Sequence, residues 1–254
     1  MEPILRVEDL TKTFSRPGRP DFTAVDRVSF SLDRGECLGL IGESGSGKST
    51  LAAMVTRLLD PTGGRVILDG EDITSLRGRA LRGAYRKMQM VFQAPAESFD
   101  PRRTLGDGIG ESLRNRGVGR GETRARVAGL LRLCGLGEEF ALRYPHQASG
   151  GQCQRAAIAR ALAAEPGLLI CDEATSALDV TVQREILDLL DALRGREGQG
   201  LSILFICHDI ALVQQFCDRV LVLHRGRIVE EGVPDAVIQS PRDPYTRRLV
   251  DSVF

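Results

Sequence analysis

The 254-residue chain has no excess of charge of either sign: Lys and Arg together number 34, as do Asp and Glu, so the formal net charge is zero. Nothing in this balance suggests a polyanion-binding surface, and no nucleic-acid partner is expected. No apolar run approaches the roughly 20 residues needed to span a bilayer. A protein of this kind that works at a membrane must dock there through a partner. The opening stretch, MEPILRVEDL, lacks a basic region followed by a long apolar segment, so no signal peptide is expected. None of the 6 cysteines (Cys37, Cys134, Cys153, Cys171, Cys207 and Cys217) forms a C-x-x-C pair, which removes zinc spacing. Cys171 and Cys207 end apolar runs and read as buried small hydrophobes. Reduced thiols of an intracellular protein are the simplest expectation for all six. There is no internal repeat and no low-complexity tract.

What is present is an ordinary globular composition, 42% hydrophobic and 27% charged, in a length that suits one large domain or a core with an inserted subdomain. Short runs rich in Val, Ile and Leu occur at 37–41, 88–92, 168–171, 202–207 and 220–223. Continuous apolar runs of this length predict strands buried on both faces, as in a parallel sheet. Helical patterns lie between them. The clearest is Val182, Ile186, Leu189, Leu190 and Leu193, which share one helix face. Strands alternating with helices imply an α/β core. The first stretch differs. Residues 4–14, 25–32 and 65–68 predict shorter strands with turns between them, an antiparallel layer beside the parallel core. From about 94 to 154 the chain is rich in Arg, Gly and Leu, with a helical pattern at 124–133, and predicts a mostly helical insertion. The organisation expected is a single domain over 1–254. Its core and β subdomain take 1–93 and 155–240, and a short C-terminal helix or tail takes 241–254.

The chemistry starts at the end of the first buried run. Residues Gly42, Glu43, Ser44, Gly45, Ser46, Gly47, Lys48, Ser49 and Thr50 form G-x-x-x-x-G-K-S. Glycines let the backbone wrap closely, so that successive N–H groups point at a phosphate. The following helix adds the positive end of its dipole. Lys48 places a charge at the β and γ phosphates, and the Ser49 hydroxyl suits a Mg²⁺ ligand. A Gly/Ser turn could match by chance, but here a strand precedes the motif and a helix pattern follows it, as the mechanism requires.

A second run, 168–171, delivers Asp172 and Glu173 where an α/β sheet places its ligands. Asp172 would hold Mg²⁺, through water, and Glu173 would polarise an attacking water. A lone carboxylate at a strand end could equally cap a helix; the phosphate loop is what favours the functional reading. His208 follows the run 202–207 in the same way. It would contact the γ-phosphate and hold the geometry of Glu173 and water, whereas most single histidines are structural.

Ala148, Ser149, Gly150, Gly151 and Gln152 then resemble the signature sequence of ABC ATPases, usually LSGGQ. The order of blocks along the chain is similar to that family throughout. It runs phosphate loop, Gln93, signature, Asp172-Glu173, Ser176-Ala177-Leu178-Asp179, His208. The resemblance implies a P-loop NTPase of RecA-like fold with an antiparallel β subdomain and an inserted helical subdomain. It implies ATP and Mg²⁺ as bound species. Two such subunits, identical or different, would pack head to tail, so that Ser149, Gly150, Gly151 and Gln152 cap the other subunit's nucleotide and Asp179 reaches across the interface. Gln93 would touch Mg²⁺ or the water, and Phe14 would stack on adenine, with Phe22 the competing aromatic and a core role the plain alternative for Phe14. Two departures stand out: Ala148 replaces Leu, and Ala174 follows Glu173 where Pro is usual.

Three further stretches resemble the oligopeptide, dipeptide and nickel importer group. They are 92–102, 177–183 and 240–246, the last including Pro244, Tyr245 and Thr246. The chain looks more like the second, nickel-E/dipeptide-F type of ATPase subunit. That resemblance implies two membrane permease subunits, an extracytoplasmic solute-binding protein acting indirectly, and a peripheral place on the cytoplasmic face of the membrane. The helical insertion would receive a short permease helix, and an appended regulatory or metal-cluster domain is not expected after the short tail. The cargo would be peptides or nickel and other metal chelates. The alternatives are the ATPase subunit of a non-transport assembly, such as the carbon–phosphorus lyase complex, and a DNA-repair ABC ATPase. The latter is disfavoured by the neutral charge and the lack of long coiled coils.

Overall fold

The structure, a computed structural model, describes residues 2–174, 180–195 and 200–252. It opens with two long strands, β1 (Leu5–Arg16) and β2 (Arg19–Leu32), paired antiparallel. Strand β1 nearly coincides with the expected 4–14, whereas β2 begins six residues before the expected 25–32. Asp9 and Arg27 sit in left-handed backbone conformation, and the register between the strands shifts repeatedly. Such bulges interrupt the period-two alternation without ending the strands. Next come β3 (Cys37–Ile41), α1 (Lys48–Val55), β4 (Gly63–Leu68), the short β5 (Glu71–Asp72), α2 (Gly78–Lys87) and β6 (Met88–Val91).

The helical stretch holds α3 (Leu105–Ile109), α4 (Glu111–Asn115), α5 (Arg120–Leu133) and α6 (Gly150–Leu162), with one 3₁₀ turn before α3 and two between α5 and α6. The last of these helices continues through residue 154 into the core. The chain returns to the core with β7 (Leu168–Asp172), α7 (Val180–Arg194), β8 (Ser202–Ile206), α8 (Ile210–Phe216) and β9 (Arg219–His224). It closes with β10 (Arg227–Gly232), α9 (Pro234–Gln239) and α10 (Pro244–Asp251).

Among the described residues the strands form two sheets. One is antiparallel, in the order β2-β1-β4-β5; the other runs β10-β9-β3-β8-β7-β6. Strands β9, β3, β8, β7 and β6 are parallel to one another, and β10 pairs antiparallel at the edge. That edge strand carries Arg227, Glu230 and Glu231 among its apolar residues, a mixed pattern that a search for apolar runs passes over.

Strands β3, β7 and β8 are buried along their whole length. Their side chains alternate between two cores. Cys37, Leu169, Cys171, Ile203 and Phe205 pack toward the helical layer, while Leu38, Leu40, Ile170, Leu204 and Ile206 pack toward α1 and the antiparallel sheet. Each such Leu, Ile or Phe contributes ~1.5–3 kcal/mol by leaving water. All six cysteines are buried and free.

Candidate functional site

The phosphate loop leaves β3 at Ile41 and must turn at once. Gly42 has φ 152°, and a Cβ there would lie 2.3 Å from the backbone oxygen of Leu223. Gly47 has φ 110°, and its Cβ would meet the Ala24 oxygen at 2.5 Å. Only glycine fits either place, which gives a steric reason for two of the motif's fixed positions. Between them Glu43, Ser44 and Gly45 are exposed, whereas the Ser46 side chain is buried and its oxygen has no hydrogen-bond partner.

Lys48 is the first residue of α1 and is buried. Its Nζ donates to the carbonyl oxygens of Gly42, at 2.6 Å, and Glu43, at 3.0 Å, so the ammonium rests across the loop it follows. Burial lowers its pKa, although the negative charges of Glu173 and Asp172 oppose the shift. Ser49 and Thr50 continue α1. The Ser49 hydroxyl donates to Asp172 Oδ1 at 3.3 Å.

Asp172 ends β7 and is buried. Desolvation raises its carboxyl above the ordinary range, partly offset by the Ser49 hydrogen bond, and the neighbouring Glu173 raises it further. Glu173 itself has left-handed backbone, φ 48°, and its N–H donates to the oxygen of Ile206 on β8 at 2.9 Å. Non-glycine residues adopt this conformation at a cost, and such residues cluster at functional positions. The turn carries the Glu173 side chain out past the sheet end. There Gln93 Nε2 donates to Glu173 Oε2 at 2.7 Å.

Strand register explains that meeting. Val91 is level with Cys171, and Cys171 with Phe205. Gln93, Glu173 and Cys207 therefore each stand two residues beyond a common line, and His208 one further. His208 is exposed at the end of β8.

The structure thus gathers the residues from Gly42 to Thr50 with Asp172, Glu173, Gln93 and His208 at and beyond the C-terminal ends of the parallel strands β3, β7, β6 and β8. It does not bring the Ser149–Gln152 segment to them through any hydrogen bond among the described residues. That segment instead opens α6 as a complete capping box. Gln152 N–H donates to Ser149 Oγ, and Ser149 N–H to Gln152 Oε1. Gly150 and Gly151 form the first turn of the helix, beside a cavity of about 300 Å³ lined by Gly135, Phe140, Arg155 and Val182. Ala148 packs against the core edge, and Ala174 is buried. Phe14 faces Phe22 across the β1–β2 pair; Phe22 is exposed and Phe14 half-buried, with Lys12 over its ring. Asp179, with Ser176, Ala177 and Leu178, lies outside the described residues.

Two groups at the loop escaped sequence reasoning. Gly226 N–H donates to the Ser46 oxygen at 2.8 Å. The Tyr245 hydroxyl accepts from Glu43 N–H, also at 2.8 Å. Neither carries a local signal, since Tyr245 is 202 residues from Glu43.

A glycine-lined phosphate loop between a buried parallel strand and a helix, with an acid pair on a nearby strand, defines a P-loop nucleotide hydrolase. The comparison with known proteins narrows this. The family described as "ABC transporter" matches residues 25–176. The "Probable peptide ABC transporter ATP-binding protein y4tS" of Sinorhizobium fredii is 46% identical over 97% of this chain and 71% of its own length. The "Glutathione import ATP-binding protein GsiA" of Escherichia coli (strain K12) is 46% identical over 99% of this chain, which spans 41% of that protein. Among solved structures, the dimeric post-hydrolysis state of the ATP-binding cassette MJ0796 bound to ADP and Pi has a TM-score of 0.81 at 32% identity. The match covers 91% of this chain and 98% of that one. CbiO1 from Clostridium perfringens, part of the ABC transporter complex cbiONQ, also scores 0.81, at 30% identity over 94% of this chain.

The chain belongs to the ABC transporter family and is an ATP-binding, ATP-hydrolysing subunit of it. Both named relatives are ATP-binding proteins of ABC transport, one of a peptide transporter and one of glutathione import. Among the described residues no helix is long and apolar enough to cross a membrane.

Proposed function

We propose that this chain energises uptake of a peptide-class solute as one of two ATPase subunits of an ABC importer. It would sit peripherally on the cytoplasmic face of the membrane beneath two permease subunits. The helical stretch around 94–154 would be the surface that meets a permease. The names and identities of the relatives support the cargo class and the assembly.

The observation that carries the catalytic reading is the Gln93–Glu173 hydrogen bond beside the phosphate loop. In this reading Gln93 holds the Glu173 carboxylate toward a water in line with the γ-phosphate. The water oxygen forms a bond to Pγ as the bond from Pγ to the bridging oxygen of ADP breaks, and Glu173 takes the water's proton. Lys48 keeps its Nζ on the Gly42 and Glu43 carbonyls and turns its remaining N–H to the phosphate oxygens, and His208 steadies the γ-phosphate. The inward N–H groups of the loop bind the β-phosphate, and Phe14 or Phe22 stacks on adenine.

The donor set fits Mg²⁺. Ser49 Oγ and Asp172 Oδ1 are hard oxygens within reach of each other, with Gln93 held beside them through Glu173. That suits a cation completed by phosphate oxygens and water. When bound, it would neutralise charge developing on the phosphates.

The Ser149–Gln152 helix start is exposed at Ser149 and Gly150, and its capping box engages only the Ser149 and Gln152 N–H groups, so the first turn would offer an anion site without a nucleotide on its own chain. It would cap the ATP of a second subunit, as the phosphate loop here would receive the second subunit's signature. Copurification of the native complex with mass spectrometry tests the assembly: permeases and a second ATPase subunit are expected, and recovery of only a soluble enzyme complex would overturn it.

A further inference from the structure

We propose that Tyr245, on α10, is a positioning residue for nucleotide binding: its hydroxyl fixes one peptide unit of the phosphate loop and, through that unit, the place of Lys48. The proposal rests on the ATP-binding role of the loop.

The peptide in question joins Gly42 to Glu43. Its carbonyl oxygen, that of Gly42, accepts from Lys48 Nζ at 2.6 Å. Its N–H, that of Glu43, donates to Tyr245 Oη at 2.8 Å. One rigid plane is therefore held at both ends, by the lysine on one side and by the tyrosine on the other. Gly42 lacks a Cβ, so with the tyrosine hydroxyl gone this plane keeps only the Lys48 hold of the two. Rotation would swing the Gly42 oxygen away from Lys48 and turn the Glu43 N–H toward the space where phosphate N–H donors are arrayed.

The C-terminal segment is built to hold Tyr245 in place. The ring is buried and stacks on His224, centroids 3.7 Å apart. Asp243 caps α10 by accepting from Tyr245 N–H at 2.7 Å. The Glu230 carboxylate, on β10, accepts from the N–H groups of Arg242 and Asp243 at 2.9 and 3.0 Å, which pins the loop before α10 to the sheet. His224 itself ends β9, whose Leu223 oxygen lies against Gly42 and whose following turn binds Ser46 through Gly226. Burial pushes the Tyr245 hydroxyl above its ordinary pKa, so it stays protonated across the working range. The phosphate loop thus has a back wall made from residues some two hundred positions later in the chain.

The test uses Tyr245→Phe in the full chain, which keeps the ring and its stacking and removes only the hydroxyl. Titration with a fluorescent ATP analogue should show about five-fold weaker binding, the share of one hydrogen bond. In the assembled ATPase, KM for ATP should rise by a similar factor while kcat stays within about twofold. A purely structural tyrosine would instead lower the melting temperature and the active fraction and leave KM alone; unchanged affinity and KM in the Phe variant would overturn the proposal. A measurement on the unmodified chain stands beside it. In native-state hydrogen exchange without nucleotide, the Glu43 amide should be protected relative to those of Ser44 and Gly45. Equal exchange would refute the clamp even if the variant failed to fold. A wild-type chain that does not bind the analogue would sink the ATP-binding role itself, a different result from a wild-type chain that binds and a Phe variant that binds equally well.

Discussion

Glu173→Gln removes a charge and a proton acceptor while leaving the shape of the site almost untouched. The amide oxygen can still accept from Gln93 Nε2, now 2.7 Å from the carboxylate, and glutamine meets the φ of 48° at the same cost as glutamate. What disappears is general-base assistance, which contributes typically 10²–10⁴-fold. At about 1.36 kcal/mol per decade, that is roughly 2.7–5.4 kcal/mol on the barrier. Binding should survive. The Glu173 charge raises the pKa of Lys48 and of Asp172, but burial is the larger influence on both, so losing that charge changes each only in part. The expected variant therefore binds ATP with near-normal affinity, releases phosphate at least a hundred-fold more slowly, and accumulates as an ATP-closed dimer. Phosphate-release kinetics, nucleotide titration and size-exclusion chromatography with and without ATP read the three effects. Turnover within tenfold of the wild type would refute the assignment of Glu173, whatever happened to the dimer.

Three other outcomes are expected. Asp172→Asn should abolish Mg²⁺-dependent turnover yet raise the nucleotide-free melting temperature by about 2–4 °C, the shift of roughly 1 kcal/mol in a domain of this size. The sign follows from its raised carboxyl: the native state binds the proton more tightly than the unfolded chain, so wild-type stability falls as pH climbs from about 3.8 through the higher native value. Melts at pH 4 and pH 7 should show the Asn advantage growing with pH, and an advantage confined to acid would contradict this. Gly47→Ala places a Cβ 2.5 Å from the Ala24 oxygen at a positive φ and should cost at least ~2 kcal/mol in denaturant titration, with loss of ATP binding; a wild-type midpoint would show the loop to be more pliable than its geometry implies. The six thiols are buried, with Cys207 pushed up to about 11 and Cys134 to about 12 by desolvation. Alkylation at pH 8 should leave the native chain unmodified and label it only in denaturant, as mass spectrometry would reveal.

Some of this protein could be read from the chain alone because the forces involved are short-ranged. A five-residue apolar run buried on both faces, glycines where the backbone must turn sharply, and a lysine opening a helix are local sterics and local solvation. The phosphate loop and the strands before Asp172 and His208 were therefore legible without coordinates. The first part of β2 was not, because residues 19–24 of this edge strand include Pro20 and Asp21, which favour a turn. Strand β10 was missed for a related reason, since an edge strand tolerates charge. The remaining features depend on strand order, which no local pattern displays. Only the parallel register of β6, β7 and β8 sets Gln93 against Glu173, 80 residues away, and only the return of the C-terminal segment behind β3 puts the Tyr245 hydroxyl on the Glu43 amide. The chain declares which groups meet a phosphate; the packing of its sheet decides how firmly, and in what orientation, they are held.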